Sequence, residues 1–242
     1  MVEGRPSTRV RAHEERIRRM FDAIAPDYDR LNHTLSFGQD VLWRIAAARR
    51  ARLAASEVAL DVGTGTGDLA FALLRRSAPA SRVVGLDLAS EMFDLARSKA
   101  ARHGLRERFA VVQGSSLDIP AVDGSFDRVV SAFTLRNVAD LEITLDEMRR
   151  VLRPGGRIVL LELSKPPPGV FAHVYRTYFY GLLPRAASLL GGDPEAYAYL
   201  PDSLTPFPDA DGLATLLANA GFRRVRYTRL TFGVAALHEG ER

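Results

Sequence analysis

The chain has 242 residues, 47% of them hydrophobic, with a net charge of +4 and no cysteine. That suffices for the core of one large α/β domain and excludes disulfides and cysteine-ligated metal. No apolar run reaches the ~18 residues of a membrane span, and MVEGRPSTRVRAHEER at the start lacks the apolar stretch of a secretory leader; a cytoplasmic location is expected, with peripheral contact at the inner membrane face as an addition.

Of the 33 basic residues only Lys99 and Lys165 are lysines, an arginine bias spread along the whole chain that reflects genome base composition rather than a nucleic-acid partner. Residues 1–17 read as a basic arm, six arginines facing three glutamates within the first twenty positions. A solvated, partly disordered tail is the plain reading, and attraction to anionic headgroups the other. A single domain is expected over 18–242. Helices at 14–25 and 38–53 flank the loop PDYDRLNHTLSF. From Val58 onward, short β-rich runs at 58–63, 82–87, 109–114, 126–133 and 157–163 alternate with helices at 67–76, 91–103 and 141–152. Such alternation predicts a parallel sheet covered on both faces. The segment 166–205, aromatic and broken by Pro184 and Gly191–Gly192, reads as a helical lid. The runs 222–230 and 232–240 leave room only for a hairpin, so an antiparallel pair closes the sheet.

Candidate ligand contacts cluster at the strand ends. Glycines at 63, 65 and 67 in LDVGTGTGDLA give a GxGxG turn between strand and helix, without the spacing of a dinucleotide fingerprint. Gly63 and Gly65 present backbone to a ligand, and Asp61 either contacts it or braces the loop. Asp87 ends the second strand, where an acid can accept from both hydroxyls of a ribose; Ser90 is the better cap for the helix that follows. Ser115 and Ser116, with Asp118 as a rival, could bond an adenine edge. After the fourth strand, SAFTLRNV ends in Arg136 and Asn137, with Asp140 close behind. No arginine follows Asp87 closely enough for NADP, and no GxxxxGK[ST] occurs.

Acid, glycine loop, acid, polar pair and closing hairpin together resemble the class I S-adenosylmethionine methyltransferases, a Rossmann-like fold with a mostly parallel seven-stranded sheet. The segments MFDAIAPDYDRLNHTLSFGQDVLWR, FTLRNVAD, EMRRVLRPGGRIVLLELSKP and LTFGVAALHEG narrow this to a resemblance to the demethylmenaquinone / 2-polyprenyl-6-methoxy-benzoquinol C-methyltransferase family, extending from about Arg18 to the end. The resemblance implies methyl transfer from S-adenosylmethionine to a ring carbon of a prenylated hydroquinone, without a metal, in menaquinone or ubiquinone biosynthesis. Demethylmenaquinol is the preferred acceptor because no targeting extension is evident. By position, Thr66, Asp87 and the Ser115–Ser116 pair would contact the cofactor, although the family usually has asparagine then alanine at 115–116. Ala132 stands near a family serine and could contribute backbone only.

The implied chemistry needs an ionised ring, since an aromatic carbon becomes nucleophilic when the adjacent hydroxyl loses its proton. A phenol-like pKa of ~10 must therefore be lowered by the site. Arg136 is the candidate to hold the phenolate, with Asn137 orienting a ring oxygen and Tyr28, His33 or a water relaying the proton. Competing roles are an ion pair of Arg136 with Asp140 or Glu142, core packing for Tyr28, and a loop position for His33. The aromatic run Phe171, Tyr175, Tyr178, Phe179 is either helix packing or the wall of a prenyl-tail channel. Passing membrane contact and a homodimer are compatible with this reading. Another small hydrophobic acceptor, such as a tocopherol-like phenol or a sterol, is a rival, as is a silent quinone-binding scaffold.

Overall fold

Apolar alternation in the central runs builds a sheet with oily side chains on both faces. The computed structural model describes residues 8–182, 199 and 202–242. Its strands are β1 Val58–Val62, β2 Arg82–Asp87, β3 Phe109–Gln113, β4 Phe126–Ala132, β5 Leu152–Leu163, β6 Arg223–Leu230 and β7 Ala235–Glu241. Its helices are α1 Thr8–Ile24, α2 Tyr28–Leu35, α3 Gln39–Ala51, α4 Asp68–Leu74, α5 Ser90–Arg102, α6 Leu141–Val151, α7 Val170–Arg176 and α8 Ala210–Asn219. The sheet runs β3-β2-β1-β4-β5-β7-β6. The first five strands in that order are parallel, and β7 is antiparallel to both β5 and β6. The expected Rossmann-like sheet with its closing hairpin is the one found.

Successive residues of the inner strands feed opposite cores. Leu60, Val129 and Ile158 pack on one side, Ala59, Val130 and Val159 on the other, as the two-residue strand period demands. Leu145 and Met148 of α6 and Leu213 and Leu217 of α8 close the first core. Alanines 47, 48 and 51 of α3 and Ala70 of α4 close the second. Among the described residues no helix is long and apolar enough to cross a membrane.

Four local departures from the sequence reading matter for the site. Residues 8–17 are not a disordered arm but the first half of α1, because Ile17, Met20, Phe21 and Ile24 form a stripe at helical spacing; Ile17 is buried, and Met20 and Ile24 pack against the core. The loop PDYDRLNHTLSF is mostly α2, anchored by buried Leu31 and Leu35. β5 starts at Leu152, five residues before the predicted strand, where Gly155 at φ +73° and hydrogen bonds to Arg242 extend the ladder. Helix α8, capped by Asp209 at 2.9 Å from the Gly212 amide, was not anticipated. Of the expected lid, α7 and a wider turn over Thr177–Leu182 are described; residues 183–198, 200 and 201, including Pro184 and Gly191–Gly192, lie outside the described residues.

Register sets the working edge. Val62 pairs with Leu86 on one side and Ser131 on the other, so Gly63, Asp87 and Ala132 emerge together. Strand order reverses between β1 and β4, the place where open α/β sheets leave a crevice.

Candidate active site

The glycine turn is folded against β2 and β4. The amides of Gly63 and Thr64 donate to the Leu86 carbonyl at 2.8 and 3.0 Å. Gly63 sits at φ +68°, and a Cβ there would lie 2.1 Å from Thr134 Oγ1, so no other residue fits. Gly65, at φ +52°, donates its amide to Asp87 Oδ2 at 2.7 Å. The other Asp87 oxygen accepts the Ala89 amide at 3.0 Å. Asp87 thus braces the loop and the entry to α5 while its carboxylate lines a cavity of about 760 Å³. Ser90 does not cap α5: it is the first helical residue, Ala89 holds the cap position without a side-chain bond, and Asp22 of α1 accepts the Glu91 amide at 2.9 Å instead.

The cavity is bounded by Gly63, Gly65, Asp87, Ser116 and Ala132 from the sheet edge, and is roofed by Glu14, Ile17, Arg18 and Phe21 of α1. The helix expected at 14–25 supplies all four roof residues, and it begins six residues earlier, at Thr8; its place over the cavity has no sequence signal beyond the apolar stripe of Ile17, Phe21 and Ile24. Met92 of α5 also lines the cavity. Three expected contacts lie elsewhere. Thr66 donates to Asp29 Oδ1 at 2.6 Å and accepts from Lys99 at 3.1 Å, within a polar cluster that also ties Lys99 to Asp68. Ser115 donates to Glu14 and accepts the Leu117 amide at 3.0 Å. Asp61 is buried below the turn, where Oδ2 accepts the Thr64 hydroxyl at 2.9 Å and Oδ1 has no hydrogen-bond partner among the described residues. It borders a smaller adjoining cavity with Thr66. Burial pushes the Asp61 carboxyl up to about 7 and, despite three backbone amides, raises Asp87 as well.

A second chamber of about 660 Å³ adjoins the first, and Tyr28 and Phe133 line both. Its walls include Trp43, Tyr175, Tyr178 and Phe179, with Arg44, Asp40 and Arg136 as the charged members. The aromatic run after Gly169 is therefore chamber wall in three of its four members; Phe171 stands outside, stacked on Tyr175. Phe133 sits at φ +60°, a conformation unusual for an aromatic residue and typical of functional turns. Its carbonyl accepts from Arg136 Nη1 at 2.7 Å and Asn137 Nδ2 at 3.4 Å.

Arg136 does not pair with Asp140 or Glu142. Asp140 caps α6 by accepting the Ile143 amide at 3.0 Å, and Arg136 Nη1 lies 3.3 Å from Glu162 Oε2, with the two side chains only 8% and 2% exposed. Glu162 Oε1 accepts the Leu135 amide at 2.7 Å. Burial raises the Glu162 carboxyl while the guanidinium opposes that rise. Sequence reasoning passed over Glu162 as strand interior. Arg136 faces the second chamber but Asn137 faces the first, with Oδ1 buried and without a partner among the described residues, and its carbonyl bonded to His13 Nε2 at 2.9 Å. Tyr28 packs edge-on against Phe21 at 5.9 Å, and burial raises its phenol above the usual range, so it stays protonated near neutrality. His33 lines neither chamber; its Nδ1 donates to Asp40 Oδ2 at 2.7 Å. Asp40 also holds Arg44 at 2.5 Å, whose guanidinium lies 4.9 Å from the Phe133 ring centre.

The profile of the ubiE/COQ5 methyltransferase family matches residues 9–242. A demethylmenaquinone methyltransferase of Thermus thermophilus is 49% identical over 223 residues, covering 92% of this chain and all of that one. One of Deinococcus radiodurans is 47% identical, covering 93% and 92%. A ubiquinone/menaquinone biosynthesis C-methyltransferase of Geotalea daltonii is 41% identical, covering 94% and 97%. Among solved structures, a SAM-dependent methyltransferase of Thermotoga maritima superposes with a TM-score of 0.66 at 18% identity, covering 93% of this chain and 98% of that one, a likeness of fold.

Proposed function

This chain belongs to the ubiE/COQ5 methyltransferase family, and from that premise we propose that it transfers a methyl group from S-adenosylmethionine to a ring carbon of a prenylated hydroquinone, demethylmenaquinol by preference. The observation that carries the reading is the meeting of two chambers at Tyr28 and Phe133, one edged by the glycine turn and Asp87, the other aromatic and holding a buried guanidinium.

The first chamber fits the donor. Its edge is the glycine turn, and a Cβ on Gly65 would meet no protein atom within 4 Å, leaving open space for a ligand beside the turn. Asp87 would hold the ribose hydroxyls, Gly63 and Gly65 would lie against the chain of the ligand, and Ser116 would reach the base. Asp61 and Asp87 together favour a cationic guest. When bound, S-adenosylmethionine supplies an electrophilic methyl on a sulfonium.

In the second chamber Arg136 holds the ring oxygen as the phenolate. Its bonds among the described residues use Nη1, and we assign Nη2 to that oxygen. Phe133 and Glu162 fix the guanidinium before the acceptor arrives, so little reorganisation remains for the reaction. Arginine keeps its proton, and Tyr28 is held protonated, so neither is the base. Asp40 borders the chamber as a carboxylate and is hydrogen-bonded to the half-exposed His33. Asp40 would take the proton of the ring hydroxyl and return it to that oxygen after transfer, and the proton shed by the methylated ring carbon as the ring rearomatises would leave to solvent past the half-exposed His33. Tyr28 and Phe133 keep bulk water from the junction and align the reacting partners.

Incubating the pure protein with labelled donor and a panel of demethylmenaquinol, a prenylated benzoquinol and a tocopherol-like phenol tests the proposal. Label in the demethylmenaquinol ring is the expected result, and heat of donor binding without label in any acceptor would favour a silent scaffold. Arg136→Ala should bind donor as before and lose turnover by about 10²–10³-fold, the usual cost of removing a preorganised charge donor. Unchanged turnover would remove Arg136 from the mechanism.

A further inference from the structure

Three neighbouring segments rim the mouth of the aromatic chamber, and their outward side chains are apolar. Seven of the ten large hydrophobic side chains exposed among the described residues fall on the turn and helix start at 37–42, on α7, and on the β6–β7 turn. Phe37 and Phe232 are 78% and 77% exposed, and Val170 of α7 is 85% exposed. The segments are physically continuous. Thr231 donates to Gln39 Oε1 at 3.1 Å and accepts from Trp43 Nε1 at 2.9 Å, holding the turn of Phe232 against that of Phe37. Phe232 lies 5.0 Å from Phe171, and Phe37 lies 6.0 Å from Tyr178, a chamber wall. The exposed rings are thus one layer outside the lining.

Backbone geometry sets these rings out on turns. Phe37 and Phe232 both sit in the left-handed region, at φ +53° and +55°, where a bulky side chain is disfavoured. Each is a single prong at the tip of a short turn, a shape that suits a fluid acyl boundary better than a rigid complementary protein surface. The rim carries little acid. Segments 35–43, 166–182 and 229–234 contain Arg176 and Arg229 as charged residues besides the buried Asp40, and Arg229 is paired with Asp211 of α8 at 2.9 Å.

We propose that this rim docks the chain on an anionic lipid bilayer, with Phe37, Leu42, Val170, Phe171, Val174 and Phe232 entering the interface and the chamber opening toward the acyl layer. The inference rests on the proposed acceptor: a prenylated quinol dissolved in the membrane must pass from lipid to chamber, and an apolar rim continuous with the chamber wall removes the aqueous gap.

The test uses the full chain with vesicles of phosphatidylcholine and phosphatidylglycerol. The wild type should float with the vesicles, and Phe37→Ser with Phe232→Ser should weaken that binding by about tenfold or more. Turnover of a tail-less, water-soluble quinol should stay unchanged in the double variant, while turnover of a long-tailed quinol in vesicles falls with binding. Phe232→Trp supplies a second readout, a blue shift of emission on adding vesicles. Wild-type protein that ignores vesicles, a double variant that binds as well as wild type, or a wild-type dimer that the double variant breaks would each overturn the proposal. Failure of the wild type on the tail-less quinol would instead sink the reaction itself.

Discussion

At Glu162 a carboxylate 2% exposed lies inside β5, bonded to the Leu135 amide and paired with Arg136. It does two jobs at once, pinning the 3₁₀ turn Leu135–Asn137 and cancelling a buried positive charge. Losing one partner of a buried pair costs about 3–5 kcal/mol. Glu162→Gln keeps an acceptor for Leu135 but removes the counter-charge, so it should lower the melting temperature by about 10 °C and depress turnover. Donor affinity should hold, because neither residue lines the glycine-turn chamber; calorimetry beside thermal melting separates the two effects. Asp61 makes a different prediction. Its native pKa, about 7, is raised above the ordinary 3.8 by burial, so the folded state binds an extra proton between those values. Stability conferred by that proton is full below the unfolded pKa and is lost as pH rises through about 7. Asp61→Asn retains an acceptor for the Thr64 hydroxyl and has no such proton to lose. Melting curves at pH 5 and pH 8 should therefore converge for the variant relative to wild type, with the variant the more stable of the two at pH 8. Its affinity for the cationic donor should fall at that same pH.

Among the elements, α1 is the one whose removal should be felt first at the donor chamber. Among the described residues it is held by His13 to the Asn137 carbonyl, Glu14 to Ser115, Asp22 to the Glu91 amide and Arg16 over the Tyr199 ring, with Ile17 buried and Met20 and Ile24 packed against the core. A terminal helix opens more readily than the central sheet. Ile17→Glu should weaken donor binding by about tenfold or more through the lost apolar contact, and hydrogen exchange over residues 8–24 should quicken in the variant and slow in wild type on adding donor. Unchanged donor affinity would reduce α1 to a bystander. The same helix shows where sequence reading stops. The inner strands were legible because Val58–Val62, Arg82–Asp87 and Phe126–Ala132 are β-rich runs ended by glycine, acid or turn residues, and buried on both faces. The start of α1 at 8–13 was not, since the seven exposed or half-exposed arginines and glutamates of the helix outnumber its stripe of four apolar residues, and that stripe begins only at Ile17. Asp87 and the glycine turn could be read because strand-end positions converge by register. Glu162 could not be weighed, although an acid after four apolar residues in RIVLLEL is itself a signal of a buried partner. The opposite facing of Arg136 and Asn137 follows from the 3₁₀ turn and the positive φ of Phe133, neither of which has a sequence signature.

At the level of the whole molecule, the shared walls make the chambers interdependent. Tyr28 and Phe133 belong to both, and each is held by residues of the other side: Tyr28 packs on Phe21 under the α1 roof, and Phe133 is covered by the Arg44 guanidinium of the acceptor chamber. A ligand that fixes these two rings orders the wall seen by the next ligand, so binding at either chamber should favour binding at the other, and by the same factor in both directions. Thermal shift with S-adenosylhomocysteine and a tail-less quinol measures this without turnover. A ligand at a hundred times its Kd stabilises the fold by about 2.7 kcal/mol, or about 5–10 °C for a chain of this size. Independent chambers would give a joint shift equal to the two single shifts combined, whereas coupled ones should exceed it. Replacing Tyr28 by alanine removes half of the shared wall, so the excess should disappear even where each single shift survives. A joint shift that is additive in wild type would mean that the partition is rigid before either ligand binds, and alignment of donor and acceptor would then be built into the folded chain rather than completed by the ligands.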